Sequence, residues 1–178
     1  VYRFRTGNRC CPQGRQDWFL IKMNILFIAS EVEGFAKTGG LADVAKALPL
    51  ALKRRGHDVR IVMPFYSTIA GREKAGHLGG FTLPTRPGHT DIPYQVRELM
   101  LEDVPVMLIE FPNYFDRASL YAENNNAYPD NGERFAFLSA AALQLTEQIG
   151  FRPDIVHCND WHTALVPMLL KTRYAQSP

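Results

Sequence analysis

Two short stretches carry side chains whose types and spacing suit chemistry. The first is Lys37-Thr-Gly-Gly40. Adjacent Gly39 and Gly40 leave no side chain over the start of a following helix, so backbone N–H groups there can approach an anion. The helix N-terminus adds roughly half a positive charge, and Lys37 supplies a full one. The pattern is neither the P-loop nor the dinucleotide fingerprint, and on spacing alone it equally describes a tight turn with a solvated lysine. The second stretch is His157-Cys-Asn-Asp160-Trp161-His162. At a helix start, Asp160 stays ionised beside the dipole and accepts hydrogen bonds from hydroxyls; it also suits a plain N-cap. His162 can donate, or titrate near neutral pH. Trp161 offers an apolar face to a sugar ring or a base. His157 reads as a core histidine at a strand end. A metal cluster of His157, Cys158, Asp160 and His162 matches no standard zinc spacing, so no metal is expected.

A long polar, aromatic loop over 112–129 brings further candidates. Asp116, Arg117 and Tyr121 read as residues that fold over a crevice between the two stretches, and Asn124–Asn126 reads as turn chemistry. There is no nucleophile elbow, Cys–His pairing or close carboxylate pair. The expected reaction therefore avoids a covalent enzyme intermediate made by this domain.

The elements that must position these residues follow from hydrophobic periodicity. Asn24 to Ser30 is a short continuous apolar run, the mark of a strand buried on both faces of a parallel sheet. Leu41, Val44, Ala45, Leu48 and Leu52 form a helix stripe that Pro49 kinks and Gly56 stops. Asp58 to Met63, closed by Pro64, is a second strand, completing a β–loop–α–β unit. Residues 66–92 predict loops with one short strand at most. Tyr94–Leu101 and Val104–Phe111 read as a hairpin around Glu102-Asp103. Asp130 and Glu133 resemble a capping box, opening a helix with the stripe Leu138, Ala141, Ala142, Leu145, Ile149. Asp154–Cys158 is a third buried strand, and Asn159 or Asp160 caps a last helix through about Arg173. The expected class is α/β, a Rossmann-like parallel sheet with helices on both faces plus a β-hairpin. In such sheets ligands sit outside the carboxyl ends of the strands, where both motif-bearing loops lie. The alternation owes a strand after the last helix, so the domain reads as incomplete at its C-terminal end.

Composition narrows the function classes. The chain's 178 residues, 46% hydrophobic and 21% charged, suit one globular domain. A net charge of only +2 makes a general nucleic-acid binder a poor fit. No stretch approaches the ~18 apolar residues of a membrane span. Residues 1–22 differ from the rest: Arg3, Arg5, Arg9, Arg15 and Lys22 face Asp17 alone. They lack the apolar run of a secretory signal and any Ser of a transit peptide. The reading is a basic extension without a core role over 1–22 and a folded domain over 23–178; the rival is a basic arm that grips an anion or a partner. Cys10, Cys11 and Cys158 read as reduced thiols.

At these residues the chain resembles a known family. Met23 to Glu31, Lys37-Thr-Gly-Gly-Leu-Ala-Asp-Val44, Val62-Met-Pro64, Asn131–Phe135 and Val156-His-Cys-Asn-Asp-Trp-His162 are similar to bacterial glycogen synthase and plastid starch synthase. The resemblance runs from Met23 to the end of the chain. It implies the truncated first domain of a two-domain GT-B glycosyltransferase, without cofactor. It also implies transfer of glucose from ADP-glucose to the non-reducing end of an α-1,4-glucan with retention, in a bacterial cytoplasm rather than a plastid. Lys37 matches the family's lysine at the donor phosphates, and Gly39 and Gly40 match the loop approaching the diphosphate. Asp43 matches the aspartate of the same block. Tyr121 matches an acceptor-side tyrosine. Asp160 matches the aspartate that holds sugar or acceptor hydroxyls, with Trp161 and His162 beside it.

The resemblance also places a further histidine, in a Thr-x-His-Asn segment, and the nucleotide-gripping second domain outside this chain. The chain alone is therefore expected to bind ADP-glucose feebly and to transfer little or no glucose. Alternatives are a related UDP-glucose enzyme, since the base is read mostly by the second domain, and a non-enzymatic glucan- or partner-binding remnant. Oligomeric state is left open.

Overall fold

A computed structural model describes residues 2–3, 21–85 and 89–176. Nine strands and four α-helices follow in the order β1 (Tyr2–Arg3), β2 (Asn24–Ile28), α1 (Gly40–Arg54), β3 (Asp58–Pro64), β4 (Gly76–Leu83), β5 (Ile92–Leu101), β6 (Val104–Glu110), α2 (Pro112–Phe115), β7 (Ala122–Glu123), β8 (Asn126–Ala127), α3 (Asn131–Gln148), β9 (Ile155–Cys158) and α4 (Val166–Thr172). Seven strands make one sheet in the order β1-β9-β2-β3-β6-β5-β4. The centre, β9-β2-β3-β6, is parallel; β5, β4 and β1 join antiparallel.

The parallel centre explains the apolar runs. Leu26, Phe27 and Ile28, and Val59, Ile61, Val62 and Met63, have no accessible surface, as strands covered on both faces require. The chain steps from β2 through α1 to β3 in one direction and returns through α3 to β9 on the other side of β2. Right-handed crossovers therefore put α1 and α3 on opposite faces.

Helix α1 starts and stops close to the expected positions, with Gly56 at φ +90° ending it. Its buried face is rotated from the expected stripe: Ala42, Ala45, Pro49 and Leu50 are buried, whereas Val44 is half exposed. Helix α3 buries Leu138, Ala141, Ala142 and Leu145 as its stripe predicts.

Three local expectations are corrected. Residues 66–92 contain the eight-residue strand β4. It is an edge strand with most residues at least partly exposed and with Gly79 and Gly80 inside, so it lacks an apolar signature. The capping box does not form. The Asp130 carboxylate accepts two hydrogen bonds from the Arg117 guanidinium (2.8 and 2.5 Å) and none from α3; a bidentate charged pair outcompetes a lone amide. The last helix is broken into a single 3-10 turn over Trp161–Thr163 and then α4. Pro167, lacking an N–H and fitting only a first turn, restarts it.

Of residues 1–22, the backbone of Tyr2–Arg3 pairs with Ile155 and Val156 on the edge of β9. Residues 4–20, with Cys10 and Cys11, lie outside the described residues. No helix among the described residues is long and apolar enough to cross a membrane.

Candidate active site

The order of the strands locates the site. Strand order reverses between β9 and β2, and at such a switch point the loops leaving the carboxyl ends diverge to opposite faces and open a crevice. The loop after β2 carries Lys37, Gly39 and Gly40; the loop after β9 carries Asp160, Trp161 and His162. The two strands are parallel neighbours, with Ile28 beside Cys158. Just beyond the ladder the buried Asn159 side chain donates to the Ile28 carbonyl at 2.8 Å.

The first loop is organised by a residue the sequence did not single out. Glu31 lies in the buried segment from Ile25 to Val32, with only 3% of its surface exposed. Its Oε2 accepts from the Thr38 amide (2.5 Å) and the Gly39 amide (3.3 Å). Its Oε1 accepts from the Thr38 hydroxyl (2.6 Å) and the Tyr121 hydroxyl (2.7 Å). Burial pushes the carboxyl pKa up, but these hydrogen bonds outweigh it and hold the value below the usual carboxylate range. Gly39 and Gly40 open α1, and a Cβ on either would meet nothing within 4 Å, so packing does not demand glycine there.

Lys37 stands on the exposed rim. Its amine lies 2.7 Å from Asp43 Oδ1 and 2.6 Å from Glu33 Oε2. The hydrogen bonds it donates to Asp43 and then Glu33 raise its pKa further, and Lys37 in turn lowers that of Asp43. The amine that was expected to hold a phosphate is thus already held by two carboxylates.

The second loop builds an aromatic wall. Trp161, half exposed, stacks on the buried His162 with centroids 3.9 Å apart. Tyr121 packs against both, its ring 4.5 Å from His162 and 6.3 Å from Trp161, and Phe135 stands edge-on to His162 and Trp161 at 4.6 and 5.1 Å. Both His162 ring nitrogens are buried without a protein partner. Burial lowers its pKa to about 4, so it is neutral near pH 7, which favours donation over titration of the two roles expected for it. Asp160 is exposed, and its carboxylate accepts from the Trp161 amide at 2.6 Å, capping the 3-10 turn. Its backbone holds φ +60°, ψ −177°, a region populated almost solely by glycine.

The long loop reaches the crevice through Tyr121. Arg117 anchors it by pairing with Asp130 and lying 4.6 Å over the Tyr128 ring. Asn124 and Asn125, both at positive φ, make the two-residue turn between β7 and β8. Asp116 turns instead toward Arg72, 3.9 Å away. Arg134, fully buried behind Tyr121's loop, donates to the Tyr114 carbonyl (2.7 Å) and Asn131 Oδ1 (2.6 Å). It too was not singled out, although a charge four residues before Leu138 on the apolar stripe of α3 is a legible signal.

His157 is half-buried and stacks flat on Phe27 (4.6 Å, 7°), as a core histidine does. Among the described residues no three His, Cys, Asp or Glu side chains gather as a metal site. A cavity of about 300 Å³ lined by Leu143, Phe151, Pro153, Val156, Leu170 and Tyr174 opens beside the amino end of β9, away from both motif-bearing loops. It holds none of the chemistry-bearing residues.

Comparison with known proteins gives the family. The family model of the starch synthase catalytic domain matches residues 24–178. The chain belongs to the starch synthase catalytic domain family. It is 64% identical over 156 residues to a glycogen synthase of Aeromonas hydrophila, covering 88% of this chain and 32% of that protein. It is 61% identical over 155 residues to a glycogen synthase of Photobacterium profundum, covering 87% and 30%. Among solved structures it is similar to the catalytic domain of starch synthase IV from Arabidopsis thaliana, bound to ADP and acarbose: TM-score 0.74, 33% identity, 87% of this chain and 31% of that one. The chain thus spans about a third of the length of these relatives. The fold expectation stands: a mixed sheet with helices, as in the starch synthase catalytic domain.

Proposed function

We propose that this chain supplies the donor-loop part of a glucan synthase. That enzyme moves glucose from ADP-glucose to the non-reducing end of an α-1,4-glucan, with retention at the anomeric carbon. One observation carries the reading: the glycine-opened start of α1 and the Tyr121–Trp161–His162 wall flank a single switch-point crevice and are joined through Glu31. The glycogen synthase relatives and the ADP- and acarbose-bound starch synthase support the substrate assignment.

The mechanism follows from charge. Breaking the glycosidic bond puts negative charge on the departing diphosphate and positive charge on the sugar. Lys37, leaving Glu33 and Asp43, and the amides of Gly39 and Gly40 stabilise the first as it grows. Trp161 gives the sugar an apolar face, and the exposed Asp160 carboxylate accepts from its hydroxyls. Neutral His162 serves as a hydrogen-bonding group rather than as a charged acid. Tyr121 orients the acceptor on the leaving-group side, where the departing phosphate takes the acceptor's proton.

Glu33 and Asp43 bracket Lys37 and the Glu31 carboxylate lies buried in the same loop, so the local charge is acidic. Tight donor binding then needs cations from outside this chain. A chimera in which residues 24–178 replace the matching third of the Aeromonas hydrophila glycogen synthase tests the reading. It should transfer labelled glucose from ADP-glucose to glycogen, while this chain alone transfers little or none. Robust transfer by the chain alone, or a chimera that transfers no glucose, overturns the assignment.

A further inference from the structure

Glu31 is expensive where it sits. A carboxylate with 3% exposure, three residues past the end of β2, loses most of its hydration, and an apolar side chain would serve the core at lower cost. Its four hydrogen bonds reach two separate loops. Three go to Thr38 and Gly39, seven and eight residues on, and one crosses ninety residues to Tyr121. The two oxygens divide the work. Oε2 faces the backbone of the donor loop, and Oε1 is shared between the Thr38 hydroxyl and Tyr121.

We propose that Glu31 is a positioning residue that sets the donor loop and the acceptor-side Tyr121 from one carboxylate, coupling the two substrate subsites. The proposal rests on the glucan synthase reading above. The bond lengths give the coupling a direction. The Gly39 amide, at 3.3 Å, is the weakest of the four donors and the first released to an incoming phosphate, while Thr38 stays held at 2.5 and 2.6 Å. Once Gly39 turns to the ligand, the carboxylate has fewer donors to satisfy it and holds the Tyr121 hydroxyl more firmly. Donor binding thereby fixes the acceptor-side tyrosine. Glutamine at this position keeps the shape but loses the charge: with its oxygen on the Thr38 and Gly39 amides, its NH2 faces the Thr38 and Tyr121 hydroxyls, which must then accept, and both loops are held by weaker neutral hydrogen bonds.

The test compares Glu31→Gln with Thr38→Val in the chimera, reading kcat and the KM for ADP-glucose and for glycogen separately. Glu31→Gln should raise both KM values by about tenfold, while Thr38→Val, which leaves Tyr121 bonded, raises only that for ADP-glucose. A Glu31→Gln enzyme with a lowered melting temperature and both KM values unchanged shows a merely structural role and overturns the proposal. A rise in one KM alone overturns the coupling. Hydrogen exchange on this chain itself keeps the question separate from the assignment of activity. If the unsubstituted chimera proves inactive, the glucan synthase reading falls. Glu31 still positions both elements if Glu31→Gln speeds exchange of the Thr38 and Gly39 amides and of the amides around Tyr121. Exchange unchanged at either element overturns the proposal in that case.

Discussion

The Trp161 indole stacks on the His162 imidazole, centroids 3.9 Å apart and planes 29° from parallel. The outer ring faces solvent and the inner one is buried, so the pair presents an apolar surface backed by a neutral heterocycle. The charge of Asp160 and Glu31 nearby favours a proton on His162 and that of Arg134 opposes it, but burial dominates and its pKa falls to about 4.

That value makes a stability prediction. A histidine whose folded pKa lies below its unfolded value of about 6.5 stabilises the fold above that pH, where both states are neutral. Between about pH 6.5 and 4 the unfolded chain takes up a proton that the folded one refuses, and about 3 kcal/mol is lost. Urea melts at pH 7, 5.5 and 4.5 should show this slope, and His162→Phe should remove most of it. His157, also lowered by burial, leaves a residue of it. Glu31 contributes in a lower window, its pKa being depressed: its stabilisation is present above the unfolded carboxylate pKa and lost as pH falls through the folded one. A slope that persists unchanged in His162→Phe places the titrating group elsewhere.

Asp160 trades stability for position. Its φ of +60° with extended ψ costs about 1–3 kcal/mol that glycine would not incur. Asp160→Gly should raise the melting temperature of this chain and abolish transfer in the chimera. Asp160→Ala keeps the strain, loses the cap to the Trp161 amide and should melt lower than the parent. A glycine variant that melts below the parent refutes the strain argument.

Gly40 behaves similarly for a different reason. It is the first residue of α1 and has open space where a Cβ would go. Gly40→Ala should stabilise the fold by up to about 1 kcal/mol while raising the KM for ADP-glucose in the chimera, because the methyl group occupies the anion's approach. An alanine variant with unaltered donor KM removes this glycine from the diphosphate site.

Lys37 and Asp43 should act in opposite directions on ADP binding by this chain alone. Lys37→Ala removes the cation and weakens binding; Asp43→Asn frees the amine from one of its two carboxylates and tightens it. Titration calorimetry at low salt, where exposed charges are least screened, reads both. Neither change should move the melting temperature much, since the pair is exposed. Equal weakening by both variants would make Asp43 a ligand contact instead.

Sequence pattern revealed the parallel centre of the sheet, α1, the β5–β6 hairpin, α3 and β9, because elements buried on two faces or one stripe write their period into residue order. Strand β4 stayed hidden because an edge strand exposed to solvent needs no apolar alternation. Val44 was misplaced because α1 turns its small residues, Ala42 and Ala45, toward the sheet. In the site, the two loops were legible as motifs and their convergence as a consequence of strand order. The role of Glu31 was not. Its partners lie in Thr38, Gly39 and Tyr121, and only the fold brings the last of these near.

The Asn159 amide spans from the end of β9 to the Ile28 carbonyl. It acts as a rivet between the two strands just where their loops part, buried beyond the reach of competing water. Prying the strands apart would strand both polar groups. The bond therefore holds the floor of the crevice together at the point where its two walls diverge.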